Sequence, residues 1–391
     1  MPAETTARFE ALESQAAKIM SVFARGRYEP VAPALLQPAD VFLDCIGEEI
    51  RRRTYVFADP DGVELCLRPD LTIPSCRLYL ERNPDANAEE RYSYNGPAFR
   101  YPNGTRDASP AREFRQAGIE CFGAPDREAT DVEILKLTLA ALSEAGAPPF
   151  RLHFGDLGLF SALLAALPIP QRWRDRLWNT FWRPKSFHAV VERLTTPAAT
   201  FTDEAIAHLA DCLSPDDIAG ARECVGRYLD KQGIEFIGAR TLDDITQRLI
   251  GAAADMHERP LDNSVVTLLH DYLAISGTPS QAISAIERLT HDAKLDISAA
   301  IEACRRRQAL LQEADIPAEE ALFATDFGRQ FEYYTGFVFQ AELPERGRAG
   351  RIAGGGRYDG LLSAIGAPTP VPAIGAAIHT ERLLAAREAA A

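Results

Sequence analysis

The chain has 391 residues and a formal net charge of −14, from 42 Lys plus Arg against 56 Asp plus Glu. This length predicts two or three domains with a full hydrophobic core. Hydrophobic residues make up 46% and charged residues 25%, an ordinary globular composition that argues against disorder and coiled coil. No apolar run is long enough to span a membrane, and the first residues lack the pattern of a secretory signal.

The seven cysteines are scattered and include no CxxC pair. This is typical of reduced thiols in a cytoplasmic protein rather than of a disulfide framework or a zinc site. The seven histidines show no helical ligand pairing, so no metal and no cofactor are predicted. The acidic balance argues weakly against a nucleic-acid partner, because the phosphate backbone favours clustered Lys and Arg.

The first part of the chain alternates between helical and strand patterns. Apolar spacing over residues 7–26 predicts an amphipathic helix. Residues 28–122 have a strand-like pattern with a turn at 60–62. Residues 130–145 are again helical, and a strand follows from 150 to 154.

The rest of the chain begins with a different texture. Residues 157–315 are rich in Ala, Leu and charged residues with Pro and Gly stops, which predicts a mainly helical insert. Strand texture returns from 322 to 343. The glycine run at 354–356 predicts a tight strand–helix turn, and a strand at 373–378 precedes the closing helix.

Chemistry-bearing residues first appear together in the segment Glu113–Phe122. Strand alternation places Gln116 and Glu120 on one face, with Gly118 between them, while the opposite face is apolar. The polar face could be the floor of a site, where the glycine lets another group approach the backbone. A solvent-facing edge strand explains the same pattern, and the pattern alone leaves both interpretations open.

Two further segments carry polar groups. The loop from Arg100 to Gln116 holds four basic and two acidic residues, namely Arg100, Arg106, Arg112 and Arg115 against Asp107 and Glu113. It could hold an anion, or its arginines could simply be solvated. The adjacent Tyr333 and Tyr334 offer rings and hydroxyls beside Thr335 and Gly336, although core or interface tyrosines would look the same.

In order along the chain, these segments resemble the catalytic core of class II histidyl-tRNA synthetases. The matching segments are Tyr28–Pro33 (motif 1), Leu67–Thr72, Gly96–Arg100 with Phe114–Gly123 (motif 2), Arg329–Gly336 (the histidine-specific segment), Gly355–Leu361, and Gly375–Arg382 (motif 3). The resemblance implies an α/β (α+β) fold with a mixed, mostly antiparallel sheet flanked by helices. It also implies that the core, residues 1–156 and 316–391, is interrupted by the helical insert at 157–315.

The same resemblance implies a set of histidine-binding residues. They are Asp70, Thr72, Arg100, Gln116, Glu120, Arg329, Tyr333 and Tyr334. In this set the carboxylates suit the ammonium and imidazole N–H groups of the ligand, and an arginine suits its carboxylate.

Departures from the synthetase pattern concern ATP and tRNA. Pro102 stands where the synthetase has the glutamate that contacts adenine, and proline has neither a carboxylate nor a backbone N–H. His379 replaces a motif 3 glycine, and Pro110 replaces a loop arginine. Nine residues follow Arg382, where the synthetase continues into an anticodon-binding domain. Arg329 and Arg382, which match arginines of the synthetase, instead favour a synthetase-like activity.

A kept amino-acid pocket with eroded ATP and tRNA sites resembles the regulatory subunit family of ATP phosphoribosyltransferase, the first enzyme of histidine biosynthesis. The resemblance implies a subunit without catalysis of its own, which binds L-histidine and conveys feedback to a separate catalytic subunit. It also implies a homodimer through motif 1. Two alternatives remain open, namely a truncated synthetase-like enzyme that adenylates an amino acid and an RNA-binding synthetase remnant.

Overall fold

The computed structural model describes residues 5–45, 48–102, 112–197, 209, 212–214, 216–233, 241–328, 333–344 and 350–390. Its helices are α1 (Thr6–Arg25), α2 (Ala39–Cys45), α3 (Glu48–Arg51), α4 (Thr72–Arg82), α5 (Arg127–Glu144), α6 (Leu157–Ala166), α7 (Gln171–Phe181), α8 (Pro184–Leu194), α9 (Ile218–Gln232), α10 (Leu242–Met256), α11 (Asn263–Ala274), α12 (Pro279–Asp292), α13 (Ser298–Glu313), α14 (Leu361–Ala364) and α15 (Thr380–Ala390). Its strands are β1 (Glu29–Pro30), β2 (Leu36–Pro38), β3 (Tyr55–Ala58), β4 (Glu64–Leu67), β5 (Glu90–Phe99), β6 (Glu113–Phe122), β7 (Arg151–Asp156), β8 (Ser276–Gly277), β9 (Leu322–Ala324), β10 (Phe337–Glu342), β11 (Arg351–Arg357) and β12 (Ala373–His379).

Most of the described strands form one large sheet in the order β1-β5-β6-β12-β11-β10-β7-β9-β8. Only the β1–β5 and β7–β9 pairs of this sheet are parallel, and its other described pairs are antiparallel. The strands β2, β4 and β3 form a small antiparallel sheet. The predicted mixed, mostly antiparallel α/β (α+β) architecture is confirmed.

Helices α1, α5 and α15 pack against the large sheet. The buried face of α1 includes Leu12, Ile19 and Phe23, at the helical spacing that predicted this element. Asp126 caps α5, because its carboxylate accepts the Ala129 N–H at 3.2 Å. Helices α5 and α15 likewise bury apolar side chains, such as Leu135 and Leu383.

The chain divides into two compact units. The smaller comprises Leu167–His270 and has its own core, which includes Ala221, Val225 and Ile250. The larger comprises the rest of the chain, including α12 and α13. The predicted helical insert, 157–315, is wider than the smaller unit, and its boundaries as a domain stay a prediction.

Several predicted elements are confirmed within the described residues. The helix predicted over 7–26 is α1, with Gly26 as its C-cap, and the helix predicted over 130–145 is α5. The strand predicted at 373–378 is β12. None of the described helices is long and apolar enough to cross a membrane.

Two local predictions are wrong. The glycine run at 354–356 lies within β11 and is not a turn. A Cβ at Gly355 would lie 2.4 Å from the Gly375 oxygen, so glycine lets the neighbouring chain approach this strand. The strand-like stretch 28–122 contains the eleven-residue helix α4. Ile73, Cys76 and Tyr79 of that helix are buried at helical spacing.

The expectation that all cysteines are reduced is also corrected. Cys212 and Cys224 form a disulfide with their Cα atoms 6.6 Å apart, inside the normal range for such a bond. Cys212 precedes α9 and Cys224 lies within it, so the bond joins the approach of this helix to the helix itself. The free thiols at Cys66, Cys76, Cys121 and Cys304 are buried.

Candidate functional site

Glu120 is a fully buried carboxylate in the middle of the large sheet. It belongs to β6, which pairs with β5 on one side and β12 on the other, so the edge-strand alternative is wrong. The hydroxyl of Tyr94 donates to its Oε1 at 2.9 Å, and the hydroxyl of Tyr358 donates to its Oε2. Both oxygens of the carboxylate therefore have a tyrosine donor.

Two glycines leave the space that this arrangement needs. A Cβ at Gly375 of β12 would lie 1.5 Å from Oε2 of Glu120. A Cβ at Gly118 of β6 would lie 2.5 Å from the hydroxyl of Tyr94. The close approach that the sequence predicted at Gly118 is thus made by a tyrosine side chain of the same protein.

The site has an unusual charge state. Burial raises the pKa of Glu120 to about 7, although hydrogen bonding from Tyr358, Thr72 and Tyr94 opposes the rise. Burial and the nearby Glu120 charge raise the pKa of Tyr94 and Tyr358 well above the usual value. Both phenols therefore stay protonated and act as donors, while Glu120 titrates near neutral pH.

Asp70 is a second buried carboxylate, placed just before α4. Its Oδ1 accepts the Ile73 N–H at 3.3 Å, which ties the carboxylate to the first turn of the helix. Its Oδ2 is buried and has no hydrogen-bond donor among the described residues. Burial raises the pKa of Asp70, and the positive charge of Arg100 partly offsets that rise. Arg100 is held by the Pro69 carbonyl, to which its Nε donates at 2.7 Å.

Gln116 and His379 lie opposite each other on β6 and β12. The Oε1 of Gln116 is buried without a donor among the described residues. The His379 ring lies 5.8 Å from the ring of Phe114. Burial and the charges of Arg382, Arg100 and Arg351 hold the pKa of His379 well below its usual value. His379 is therefore a neutral imidazole beside cationic groups.

Tyr333 and Tyr334 form an aromatic pair beside Glu120. Their ring centroids lie 4.9 Å apart in an edge-on arrangement, and Tyr333 lies 5.8 Å from the ring of Tyr358. Burial raises the pKa of both phenols, and the charges of Asp70 and Glu120 add to the effect. The two tyrosines are therefore protonated rings close to both buried carboxylates.

The structure brings most of the predicted residues together. Electrostatic contact or hydrogen bonding connects the members of this group, which are Asp70, Thr72, Arg100, Glu120, Tyr333 and Tyr334. Gln116 lies on the same face of β6 as Glu120, about 13 Å along the strand. Arg329 lies outside the described residues, as do Arg106, Asp107 and Pro110.

Sequence reasoning missed Tyr94 and Tyr358 as site residues. Tyr94 lies directly opposite Gly118, and that pairing becomes visible only when the strands are aligned. Tyr358 follows Arg357 in the segment Gly354–Gly360, whose tyrosine was a signal that could have been used. Both are fully buried and bond to Glu120.

The site offers buried acceptors and aromatic faces. Such an arrangement suits a small ligand with several N–H donors, because each donor can satisfy an acceptor that water cannot reach. Within the described ranges, no group of three or more His, Cys, Asp or Glu side chains is arranged to hold a metal ion.

Comparison with known proteins agrees with this fold. The family model described as histidyl-tRNA synthetase matches residues 5–228 and 238–383. A solved structure from Bacillus halodurans, titled as an ATP phosphoribosyltransferase regulatory subunit/histidyl-tRNA synthetase, aligns with a TM-score of 0.65 at 21% identity over 99% of this chain and 81% of that one. Histidyl-tRNA synthetase from Nostoc sp. PCC 7120 aligns with a TM-score of 0.61 at 15% identity over 100% of this chain and 74% of that one. The fold is that of the class II histidyl-tRNA synthetases.

Curated relatives show which family with this fold the chain belongs to. The ATP phosphoribosyltransferase regulatory subunit of Mesorhizobium japonicum is 34% identical over 98% of this chain and 100% of its own length. That of Brucella ovis is 35% identical over 91% of this chain and 93% of its own length. The chain belongs to the ATP phosphoribosyltransferase regulatory subunit family, whose members carry the name of a regulatory rather than a catalytic subunit.

Proposed function

We propose that this chain binds L-histidine in the site around Glu120 and conveys feedback to a separate catalytic subunit of ATP phosphoribosyltransferase. The observation that carries the proposal is the buried acceptor Asp70 Oδ2, which lies close to Glu120 and Tyr333 and has no donor among the described residues. A buried acceptor without a donor destabilises a protein by about 1–3 kcal/mol. Ligand N–H groups would remove that penalty on binding.

Histidine supplies the groups that this site lacks. Its ammonium has three donors and suits Asp70, while its imidazole N–H and ring suit Glu120 and the tyrosines. Arg100 would pair with the ligand carboxylate, together with Arg329 by resemblance. An amino acid without a donor on its side chain would leave Glu120 without this contact.

Calorimetric titration with histidine tests the site directly. Asp70→Asn replaces a charged acceptor by a neutral amide, and a lost charge-assisted hydrogen bond of 1.5–3 kcal/mol weakens binding by about 10- to 150-fold. Asp61→Asn, at an exposed turn position, is the matched control and should leave the affinity unchanged. Equal affinity in both variants would place the ligand elsewhere.

We propose that the chain itself performs no chemistry. Pro102 lacks the carboxylate that would hold adenine, and the His379 side chain occupies space that a glycine would leave open. The arginines near His379, namely Arg100, Arg351 and Arg382, favour the alternative of an adenylating enzyme, because cations suit phosphates. Pyrophosphate–ATP exchange separates the two, since histidine-dependent exchange by the purified chain would overturn the regulatory proposal.

The proposed partners are a second copy of this chain and the catalytic subunit, in the cytoplasm. Support for the homodimer comes from exposed apolar side chains on the small sheet and the segment leading into it, which follows motif 1 in the chain. They are Leu35 (44%), Leu36 (49%), Val56 (42%), Phe57 (41%) and Val63 (52%). The strand register places Leu36 and Phe57 on the same face of this sheet. Co-purification with the catalytic subunit and phosphoribosyl transfer assays with and without histidine test the regulatory role. A histidine response that persists without this chain would contradict it.

A further inference from the structure

Arg307 of α13 lies at the centre of a buried ion network. Its Nε donates to Asp131 Oδ2 at 2.9 Å, and its Nη1 donates to Asp156 Oδ2 at 2.7 Å. Its guanidinium lies 4.6 Å from the ring centroid of Phe337. Arg307 is only 7% exposed, so the fork geometry of one side chain joins α13 to both α5 and β7 away from water.

Asp131 also binds Arg357, the last residue of β11. Its Oδ1 accepts the Nε–H of Arg357 at 2.9 Å, and Nη1 of Arg357 donates to Asp359 Oδ1 at 2.9 Å. Arg357 is also buried. A chain of buried charges therefore runs from Arg307 through Asp131 to Arg357, which binds the half-buried Asp359 on the other side of Tyr358.

The network holds the segment that follows the aromatic pair. The Thr335 N–H donates to the Arg357 carbonyl at 2.8 Å. The Asp359 N–H donates to the Thr335 hydroxyl at 3.0 Å. Thr335 directly follows Tyr333 and Tyr334. The backbone on either side of Tyr358 therefore fixes the end of residues 333–336, which we call the tyrosine segment.

A second arm of the network reaches the same segment. Asp156, which Arg307 binds, accepts the Gly158 N–H at 2.8 Å. The intervening Leu157 donates its N–H to the Gly336 carbonyl at 3.0 Å. Thr335 and Gly336 are therefore held from two directions, and Arg307 bridges the carboxylates of both arms.

We infer that Arg307 is a positioning residue for the candidate site, which sets the geometry of the tyrosine segment and through it the ligand affinity. The affinity part of this inference rests on the proposed histidine site, whereas the geometric part does not. Among the described residues, Arg307 has no hydrogen bond or ion pair with a predicted ligand-binding side chain, and its effect passes through Arg357 and Asp156. A helix outside the predicted binding residues thereby becomes coupled to them.

Arg307→Lys tests the inference with little change in charge or volume. An ammonium cannot reproduce the fork that bridges Asp131 and Asp156. Arg306→Lys is the matched control, since Arg306 is the next residue and pairs with Asp126 and Glu128 at the surface, with a side chain 48% exposed. Amide hydrogen exchange of the unliganded protein and histidine titration are the two measurements.

In Arg307→Lys we expect the Thr335 and Asp359 amides to exchange about tenfold faster relative to amides of β6, and histidine affinity to fall about three- to tenfold. Arg306→Lys should change neither. A purely structural role would lower the melting temperature of Arg307→Lys and speed exchange equally at β6. That result, with an affinity within about twofold of the unsubstituted protein, would overturn the inference.

Two controls keep the result decisive. Should Arg307→Lys fail to fold, Asp156→Asn weakens the same bridge with a near-isosteric side chain and is expected to show the same local exchange at a smaller size. Unchanged local exchange in that variant would equally overturn the inference. If the unsubstituted protein binds no histidine, the proposed function falls, while the exchange at Thr335 and Asp359 still decides the role of Arg307.

Discussion

Burial changes the acid–base chemistry of Glu120. An ordinary glutamate carboxyl titrates at 4.5, whereas burial raises the pKa of Glu120 to about 7. The folded protein therefore binds this proton more tightly than the unfolded chain does. Glu120 favours folding fully below about pH 4.5, and its contribution is lost as the pH rises through about 7.

The pH dependence can be measured with Glu120→Gln, which cannot titrate. Between pH 5 and 8 the unfolding free energy of the unsubstituted protein should fall relative to this variant, by up to about 3 kcal/mol. Urea unfolding at several pH values gives the difference. Glu113→Gln makes the same chemical change at an exposed position of the same strand and is the matched control. A difference for Glu120→Gln that does not vary with pH would contradict the raised pKa.

At the scale of elements, the central strands create space by leaving out side chains. Gly375 of β12 lies under the Glu120 carboxylate, and Gly355 of β11 lies under the Gly375 carbonyl. The sequence predicts a turn at Gly355, because glycine is common in turns, and a strand around Gly375. In the sheet they serve close approach instead, and this depends on which strands are neighbours.

Two alanine substitutions compare a glycine that permits a close approach with a neighbouring glycine that does not. Gly375→Ala would place a Cβ 1.5 Å from Glu120 Oε2, so the carboxylate must move, and we expect a destabilisation of about 1–3 kcal/mol with weaker histidine binding. In Gly354→Ala the nearest atom to the new Cβ is 3.5 Å away, an ordinary contact. Chemical unfolding and histidine titration of both variants check this. Equal changes in unfolding free energy and histidine affinity in the two variants would show that the Glu120 carboxylate does not need the space at Gly375.

At the scale of the whole molecule, the exposed apolar side chains at Leu35, Leu36, Val56, Phe57 and Val63 bear on assembly. Phe57 is 41% exposed, and a charge there would be desolvated in a dimer interface at large cost. We expect Phe57→Asp to shift the protein towards the monomer in sedimentation velocity. Phe9→Asp, at a 51% exposed position of α1, should leave the assembly unchanged. A Phe57→Asp variant that sediments with the unsubstituted protein would place the interface elsewhere.

The sequence made part of the fold and site predictable. Helices such as α1 and α5 follow from apolar spacing, which is a local property of the chain. Helix α4 was missed, because its short apolar pattern lay in a stretch that otherwise resembles strands. Tyr94 and Tyr358 were missed because their shared partner, Glu120, is distant in the sequence.

By itself, the sequence determined the order of motifs, and with it the family and the predicted histidine-binding residues. The order of the motifs is a property of the linear chain, so it can be recognised without knowledge of the fold. Only the tertiary structure decided that Glu120 is buried between two tyrosine donors, that Asp70 and Gln116 each keep an acceptor without a described donor, and that Arg307 bridges Asp131 and Asp156. Burial and the pairing of distant strands set these properties, because the pKa of a carboxyl and the partners of a guanidinium depend on three-dimensional neighbours.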